Sequence, residues 1–183
     1  MAKLLQEQQR TVFNDLKGSF GWVNSMQTPK IEKVVISVGV GSTKDKKKVE
    51  LIENRLATIT GQKAAPRAAK KAIATYKTRI GDKVGYQTTL RGKRAQDFVN
   101  RLIHIALPRT KDFKGIPTTS IDEMGNYTLG IKEHTVFAET ADEDIKDVFG
   151  LGVTIVTTAK NKEEAKAYLT HLGFPFKKEQ EKK

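Results

Sequence analysis

A β-branched run in the first third of the chain most constrains what this sequence can fold into. Residues 31–38 are rich in Val and Ile, and the unbroken stretch from Val34 to Val38 is typical of a strand buried in the middle of a sheet. Gly39-Val40-Gly41 ends the strand. A helix is predicted next, with Ser42 or Thr43 as its cap and Gly61 as its end.

The rest of the chain mixes helical and strand patterns. Helices are predicted from Leu5 to Gly18, from Gly92 to Pro108, and after Asn161, whose side chain is predicted to form a capping box with Glu164. Further strands are predicted over 84–91, 127–131 and 153–158, and 63–79 is predicted to be a strand or an extended loop.

This order of elements lacks strict β–α alternation, which favours an α+β fold. We expect residues 1–176 to form a single domain, a mainly antiparallel mixed sheet with helices packed on one face. Within 84–91, alternation places Val84, Tyr86, Thr88 and Leu90 on one face of the strand, and Gln87, Thr89 and Arg91 on the other. Residues 177–183 are predicted to be a charged, flexible tail.

Composition excludes several classes of protein. The 183 residues include no cysteine, which excludes disulfides, thiolate metal sites and a cysteine nucleophile. No apolar run reaches the roughly 18 residues that a membrane-spanning helix needs, and the polar start is unlike a signal peptide. We therefore expect a cytoplasmic protein with no membrane partner.

Positive charge is concentrated in one part of the chain. The formal net charge is +12, and residues 61–115 alone carry 14 basic and 3 acidic side chains, a net +11. Residues 116–176 carry 5 basic and 10 acidic side chains, a net −5. A single-sign block on foldable sequence is typical of a protein that binds a polyanion such as a nucleic acid.

The motifs of common enzymes are incomplete. Gly39-Val40-Gly41 lacks the third glycine of a dinucleotide fingerprint, because position 44 is Lys44, and the three histidines lack metal-ligand spacing. We expect a non-enzymatic protein without cofactor or metal. A nucleotide-dependent enzyme that uses the glycine turn remains an alternative.

An acidic cluster lacks the pattern of a calcium loop. It is either a solvated face or a dock for a basic protein, and it consists of Asp142, Glu143, Asp144 and Asp147.

Three basic stretches combine the side chains that RNA binding uses. Lys and Arg attract phosphates, Gln and Thr can hydrogen-bond to ribose or base edges, and Tyr76 offers a stacking surface. The candidates are Gln62, Lys63, Arg67, Lys70, Lys71, Tyr76, Lys77, Thr78, Arg79, Gln87, Thr89, Arg91, Lys93 and Arg94. With few aromatic residues, backbone and shape recognition of structured RNA is favoured over base stacking along a single strand.

Seven ordered motifs resemble those of the ribosomal protein L5 family, the large-subunit proteins that carry 5S ribosomal RNA. The resemblance covers about residues 3–176. The motifs lie at 29–41, 60–63, 88–92, 107–115, 125–133, 157–160 and 173–176, and include Thr88-Thr89-Leu90-Arg91-Gly92 and Gly173-Phe174-Pro175-Phe176.

The resemblance implies a single α+β domain bound to 5S RNA in the central protuberance of the ribosome. Residues implied to face that RNA are Lys33, Ser37, Gly39, Gly41, Gln62, Lys63, Arg67, Lys70, Lys71, Tyr76, Thr89 and Arg91. Large-subunit RNA and neighbouring ribosomal proteins are further implied partners. The chain departs from the family pattern at Ser37, Ala72, Tyr76 and Lys83. An RNA chaperone that does not reside on ribosomes remains an alternative.

Two more contacts are implied by the resemblance. A loop with Lys77, Arg79, Asp82 and Lys83 would approach the elbow of the peptidyl-site tRNA. The acidic cluster of Asp142, Glu143, Asp144 and Asp147 would form a bridge to a basic small-subunit protein.

Overall fold

The computed structural model describes residues 5–43, 45–111, 113–140 and 147–177. Across these ranges the chain forms five strands and four helices of at least ten residues. The strands are β1 (Ile31–Gly39), β2 (Ala65–Ala68), β3 (Lys83–Arg91), β4 (Tyr127–Ile131) and β5 (Leu151–Thr157). The helices are α1 (Leu5–Phe20), α2 (Lys46–Thr60), α3 (Gly92–Arg101) and α4 (Lys162–His171).

The strands form one open antiparallel sheet in the order β2-β3-β1-β5-β4. β1 lies in the middle, as its β-branched run predicts. Strands β1, β3, β4 and β5 bury alternate side chains and leave the intervening ones exposed or half-buried, as Val34, Ile36 and Val38 show for β1. One face of the sheet therefore adjoins the core and the other is open, and the predicted α+β class is confirmed.

The described residues divide into two compact units. The first comprises residues 1–34, 91–129 and 154–183, and in it α1 packs against α3 and α4. The Leu5 amide donates to Asn100 Oδ1 at 3.1 Å, and Thr11 Oγ1 lies 3.0 Å from His171 Nε2. Phe98 of α3 and Tyr168 of α4 are fully buried.

The second unit comprises residues 35–90 and 130–153. Helix α2 buries Ile52, Leu56 and Ile59 and contacts a short 3-10 turn at Ala138–Thr140. Buried His134 stacks on Phe149 with ring centroids 4.0 Å apart and accepts the Phe149 amide at Nδ1. No helix in the described ranges has the length and hydropathy needed to span a membrane.

Helices α1 and α2 each differ from the sequence predictions at one terminus. Helix α1 continues past Gly18 to Phe20, because a single glycine weakens a helix without ending it. Asp45, rather than Ser42 or Thr43, caps α2, with Oδ1 accepting the Lys47 amide at 3.0 Å. The chain first makes a turn that bonds the Thr43 amide to the Val40 carbonyl, which delays the helix. Gly61 ends α2 in the left-handed conformation, as predicted.

The predicted capping box of α4 is wrong. The Asn161 side chain makes no cap hydrogen bond. Instead Glu164 is buried and accepts the Lys160 amide at 2.7 Å and the Trp22 indole N–H at 3.0 Å. Glu164 therefore accepts hydrogen bonds both from the backbone at the start of the helix and from an indole of the N-terminal segment.

The predicted end of α3 at Pro108 lies one residue before the observed end at Arg109. After Arg101 the helix continues through a π-helical turn, Leu102–Ala106, and a last α-helical turn, Leu107–Arg109. The Leu107 amide bonds to the Leu102 carbonyl, five residues back. This wider turn lets Pro108, which has no N–H, lie inside the helix.

Candidate nucleic-acid interface

The predicted RNA-facing residues are exposed or half-buried in the structure. All of them except Lys33 and Arg91 belong to the second compact unit. We call one group of them the basic surface: Gln62, Lys63, Arg67, Lys70, Lys71, Tyr76 and Thr89. No direct test of RNA contact bears on any of these residues, so each assignment stays a prediction.

The strands β2 and β3 hold one part of the basic surface. They pair antiparallel, with Pro66 opposite Tyr86 and Arg67 opposite Gly85. Arg67 Nε donates to Gln87 Oε1 at 2.6 Å, which holds the guanidinium over the strand pair. Gln62 Nε2 donates to the Thr89 carbonyl at 3.4 Å. Two long polar side chains are thus positioned on β3 by contacts within the same unit.

Alternation along β3 confirms the two predicted faces with one exception. Tyr86, Thr88 and Leu90 are buried, while Gln87 and Thr89 are half-buried. Val84, predicted to share a face with these three residues, is half-buried. The register between β2 and β3 shifts after Arg67, so that Ala68 pairs with Lys83. Val84 is then an extra residue on β3, and it interrupts the alternation.

A close backbone approach brings the end of β1 against the start of β3. The Val40 amide bonds to the Val84 carbonyl at 2.9 Å. A Cβ on Gly85 would lie 2.8 Å from the Val38 carbonyl oxygen, so only glycine fits there. Ser37 and Gly39 are exposed on β1, and Gly41 lies beside Val84 of β3.

The segment 69–82 between β2 and β3 forms an extended hairpin rather than an irregular loop. The Ala69 amide bonds to the Asp82 carbonyl at 2.8 Å, and the Gly81 amide bonds to the Ala69 carbonyl at 3.1 Å. Nearer the tip, Ile73 and Thr78 exchange two backbone hydrogen bonds of 3.2 and 3.3 Å. These bonds give the basic side chains of the segment a defined scaffold.

The tRNA-facing candidates lie around the tip and base of this hairpin. Lys77 follows a 3-10 turn and adopts a left-handed conformation with φ of 52°. Asp82 Oδ2 accepts the Arg79 amide at 2.7 Å, and Lys83 is the first residue of β3. All four side chains are exposed.

Most cations of the basic surface are available to an external anion. Lys63 Nζ lies 3.9 Å from Glu53 Oε1. Within the described ranges, Lys70 and Lys71 make no salt bridge. Burial and a hydrogen bond to Glu53 raise the pKa of Tyr86, which keeps that hydroxyl protonated beneath the surface.

The first unit holds the other two RNA-facing candidates. Lys33 Nζ lies 3.8 Å from Glu32 Oε1, and Arg91 is exposed immediately before α3. Of the acidic bridge candidates, Asp147 is half-buried in the second unit. Asp142, Glu143 and Asp144 lie outside the described residues.

A pocket of about 610 Å³ adjoins the hairpin. Its lining comes from the turn after β1, the strand β3 and the hairpin, all in the second unit: Gly41, Ser42, Val84, Ile73, Tyr76 and Thr78, with Ala69, Lys70 and Lys71 beside them. The sequence predictions missed Ser42 and Ile73 as site residues, whereas Thr78 belongs to the predicted basic stretch 76–79. Ile73 was the available clue, because it is the one large aliphatic residue in the basic, Ala-rich stretch 63–79.

Comparison with known proteins covers nearly the whole chain. A family model described as ribosomal protein L5 matches residues 24–79, and one described as the ribosomal L5P family C-terminus matches residues 83–176. A large ribosomal subunit protein uL5 from Ureaplasma urealyticum is 49% identical over 179 residues, 97% of each chain. Proteins of the same name are 45% identical in Flavobacterium johnsoniae and 41% in Anaeromyxobacter, each over 177 residues. These alignments cover 96% of this chain, and 97% and 98% of the respective relatives.

Proposed function

Because the chain belongs to the ribosomal protein L5 family, we propose that it binds 5S ribosomal RNA through the basic surface. The family makes it a non-enzymatic structural constituent of the large ribosomal subunit, acting in translation in the bacterial cytoplasm. The binding of 5S ribosomal RNA and the residues that contact it are what we propose beyond family membership.

One observation supports this proposal above the others. The net charge of +11 in residues 61–115 includes exposed lysines, Lys70 and Lys71, that make no salt bridge within the described residues. They lie on a hydrogen-bonded hairpin beside the open face of β3. Exposed cations without internal partners suit phosphates, and their binding would release counterions. Lys33, Ser37, Gly39, Gly41 and Arg91 are proposed to extend the contact.

A gel-shift titration with 5S ribosomal RNA at several salt concentrations tests the proposal. Arg91→Ala and Lys70→Ala should each weaken binding and reduce the slope of log K against log salt by about one unit. Lys160→Ala is the matched control, since it removes an exposed lysine of the first unit and should leave the slope unchanged. Failure of the unmodified protein to bind at low salt would disprove the proposal.

Two finer contacts are part of the same proposal. The tip and base of the hairpin, with Lys77, Arg79, Asp82 and Lys83, would contact the peptidyl-site tRNA. Combined charge reversal of Lys77 and Arg79 should weaken tRNA retention on assembled ribosomes while 5S RNA stays bound. Loss of both together would instead assign these side chains to 5S RNA.

The acidic cluster is proposed to contact a basic small-subunit protein. Only Asp147 of this cluster lies within the described residues, where it is half-buried. Asp147→Lys, combined with Lys substitutions at Asp142, Glu143 and Asp144, should weaken subunit association and leave 5S RNA binding intact. Unchanged association in this variant would remove the bridge from the proposal.

Neither alternative class has comparable support. The α2 N-terminus that follows the glycine turn is already capped by the Asp45 carboxylate, which would repel a nucleotide phosphate. An RNA chaperone off the ribosome would share the basic surface. Co-sedimentation with large subunits through a high-salt gradient distinguishes it from a resident ribosomal protein, which should stay with the subunit.

A further inference from the structure

The pocket beside the hairpin combines an apolar lining with an exposed aromatic ring. Tyr76 is 74% exposed and Ile73 is 46% exposed, although both are large apolar side chains that usually lie inside. Among the described residues, the Tyr76 ring has no aromatic partner. Such a ring offers one free face to a planar group.

The pocket is formed before any ligand arrives. Paired hydrogen bonds between Ile73 and Thr78 hold two of its lining residues opposite each other. The bond from the Val40 amide to the Val84 carbonyl holds the turn after β1 against the start of β3. Its volume of about 610 Å³ falls within the range of about 300–1,000 Å³ typical of small-ligand sites.

The charges at the pocket select the kind of ligand. Lys70 and Lys71 line it, are exposed, and make no salt bridge to any described residue. No Asp or Glu is among its lining residues. An apolar slot with an aromatic ring and two cations complements a planar group flanked by anions, which is the chemistry of one nucleotide within an RNA strand.

We propose that this pocket takes one unstacked nucleobase of 5S ribosomal RNA, with the neighbouring phosphates against Lys70 and Lys71. This inference rests on the proposed function and adds base capture to a surface otherwise expected to read backbone and shape. The base stacks on Tyr76 and contacts Ile73, and the phosphates supply the salt-dependent part of the binding.

Affinity and salt slope separate these two parts. Tyr76→Ala should weaken 5S RNA binding by about 5- to 100-fold with an unchanged salt slope, because no phosphate contact is lost. Lys71→Ala should instead reduce the slope by about one unit. Ile73→Ala should weaken binding, whereas Ile80→Ala should not. Ile80 is 73% exposed in the same hairpin and does not line the pocket, so it is the matched control.

Filling the pocket provides a second variant that changes no charge. A Cβ on Gly41 would lie 3.8 Å from Val84 Cβ, an ordinary contact, so Gly41→Leu can add volume here. It should weaken RNA binding about tenfold or more with the salt slope retained, by analogy with loss of one stacked base. A thermal melt checks its folding, and exposed Tyr76→Ala keeps the inference testable if Gly41→Leu does not fold.

Fluorescence reports the captured base directly. Tyr76→Trp in a Trp22→Phe background gives a single indole at the pocket, since the chain has one tryptophan. Its emission should be quenched by 5S RNA, and that of Ile80→Trp in the same background should change little.

The outcomes separate the two proposals. If the unmodified protein does not bind 5S RNA, the proposed function fails and base capture fails with it. If it binds, but Tyr76→Ala and Gly41→Leu bind equally well and no quenching occurs, only base capture is overturned. If the emission of the Tyr76→Trp variant responds to poly-glutamate and not to RNA, base capture is overturned and the pocket is assigned to an acidic peptide.

Discussion

Gly125 and Gly18 show how the surroundings of a glycine determine its role. Gly125 has φ of 78°, and a Cβ there would lie 2.9 Å from Ala159 Cβ. Its carbonyl accepts the Thr157 hydroxyl at 2.7 Å, which fixes the backbone. Gly18 lies inside α1, and a Cβ there would meet nothing within 4 Å.

The same substitution should therefore have opposite effects at these two positions. Gly125→Ala should lower the free energy of unfolding by about 2 kcal/mol or more, through left-handed strain and the clash with Ala159. Gly18→Ala should raise it by about 0.5–1 kcal/mol, because alanine favours the helix. Urea unfolding of both variants measures this difference, and equal shifts would contradict it.

Tyr127 is a fully buried tyrosine whose hydroxyl has no hydrogen-bond partner among the described residues. Burial raises its pKa to about 12. Burial also raises the pKa of Tyr168 and, with Glu53, that of Tyr86. The unfolded chain ionises these hydroxyls near pH 10, while the folded chain keeps them neutral.

Stability should therefore fall as pH rises above about 10. Below that pH both states hold the Tyr127 proton, and between about 10 and 12 only the folded state does, which favours unfolding by about 2–3 kcal/mol at the upper end. Tyr127→Phe should be close to neutral at pH 7 and should flatten this alkaline loss. Urea midpoints at pH 7 and 11 test it, and an unchanged alkaline loss in the variant would contradict it.

The start of α4 shows an element whose cap comes from inside the helix. Glu164 accepts the Lys160 amide and the Trp22 indole, whereas Asn161, in the usual cap position, accepts nothing at the cap. Glu164→Ala should lower the free energy of unfolding by about 1–2 kcal/mol, since it leaves the half-buried Trp22 indole and the Lys160 amide without this acceptor. Asn161→Ala should stay within about 0.5 kcal/mol. Thermal melts of both variants test this prediction. A larger loss of stability for Asn161→Ala than for Glu164→Ala would show that Asn161 caps the helix.

The elements differ in how well the sequence alone predicts them. The two faces of β3 were predicted correctly because alternation within a strand depends only on neighbouring residues. The central place of β1 was predicted correctly because its β-branched run is typical of a strand in the middle of a sheet. The α4 cap was not, because Glu164 is shared with Trp22, 142 positions away. The half-burial of Val84 could not be predicted from β3 alone, because the register shift depends on pairing with β2.

The candidate site shows the same division. The basic residues of 62–91 were identified from charge and residue type. The pocket was not, because it joins Gly41 and Ser42 to hairpin residues about 30 positions later, and only the folded chain brings these together. The hairpin itself, predicted as extended chain, depends on backbone bonds between Ile73 and Thr78.

Across the whole molecule, neither the positive charge nor the strands follow the boundary between the two units. Residues 61–115 carry the positive excess, yet 61–90 belong to the second unit and 91–115 to the first. Strands β1, β4 and β5 each contain residues of both units. Such strands would have to break internally for one unit to melt alone, which is unfavourable because hydrogen bonds along a strand form cooperatively with its neighbours.

We therefore expect residues 1–176 to unfold in one cooperative transition, as a single domain should. Trp22 fluorescence reports the first unit, and hydrogen exchange of the α2 amides reports the second. Their urea midpoints should coincide, and the destabilised Glu164→Ala protein should shift both midpoints together, although Glu164 lies in the first unit. A shift confined to Trp22 would show that the two units are separate domains, because the α2 amides would then keep their protection after the first unit had unfolded.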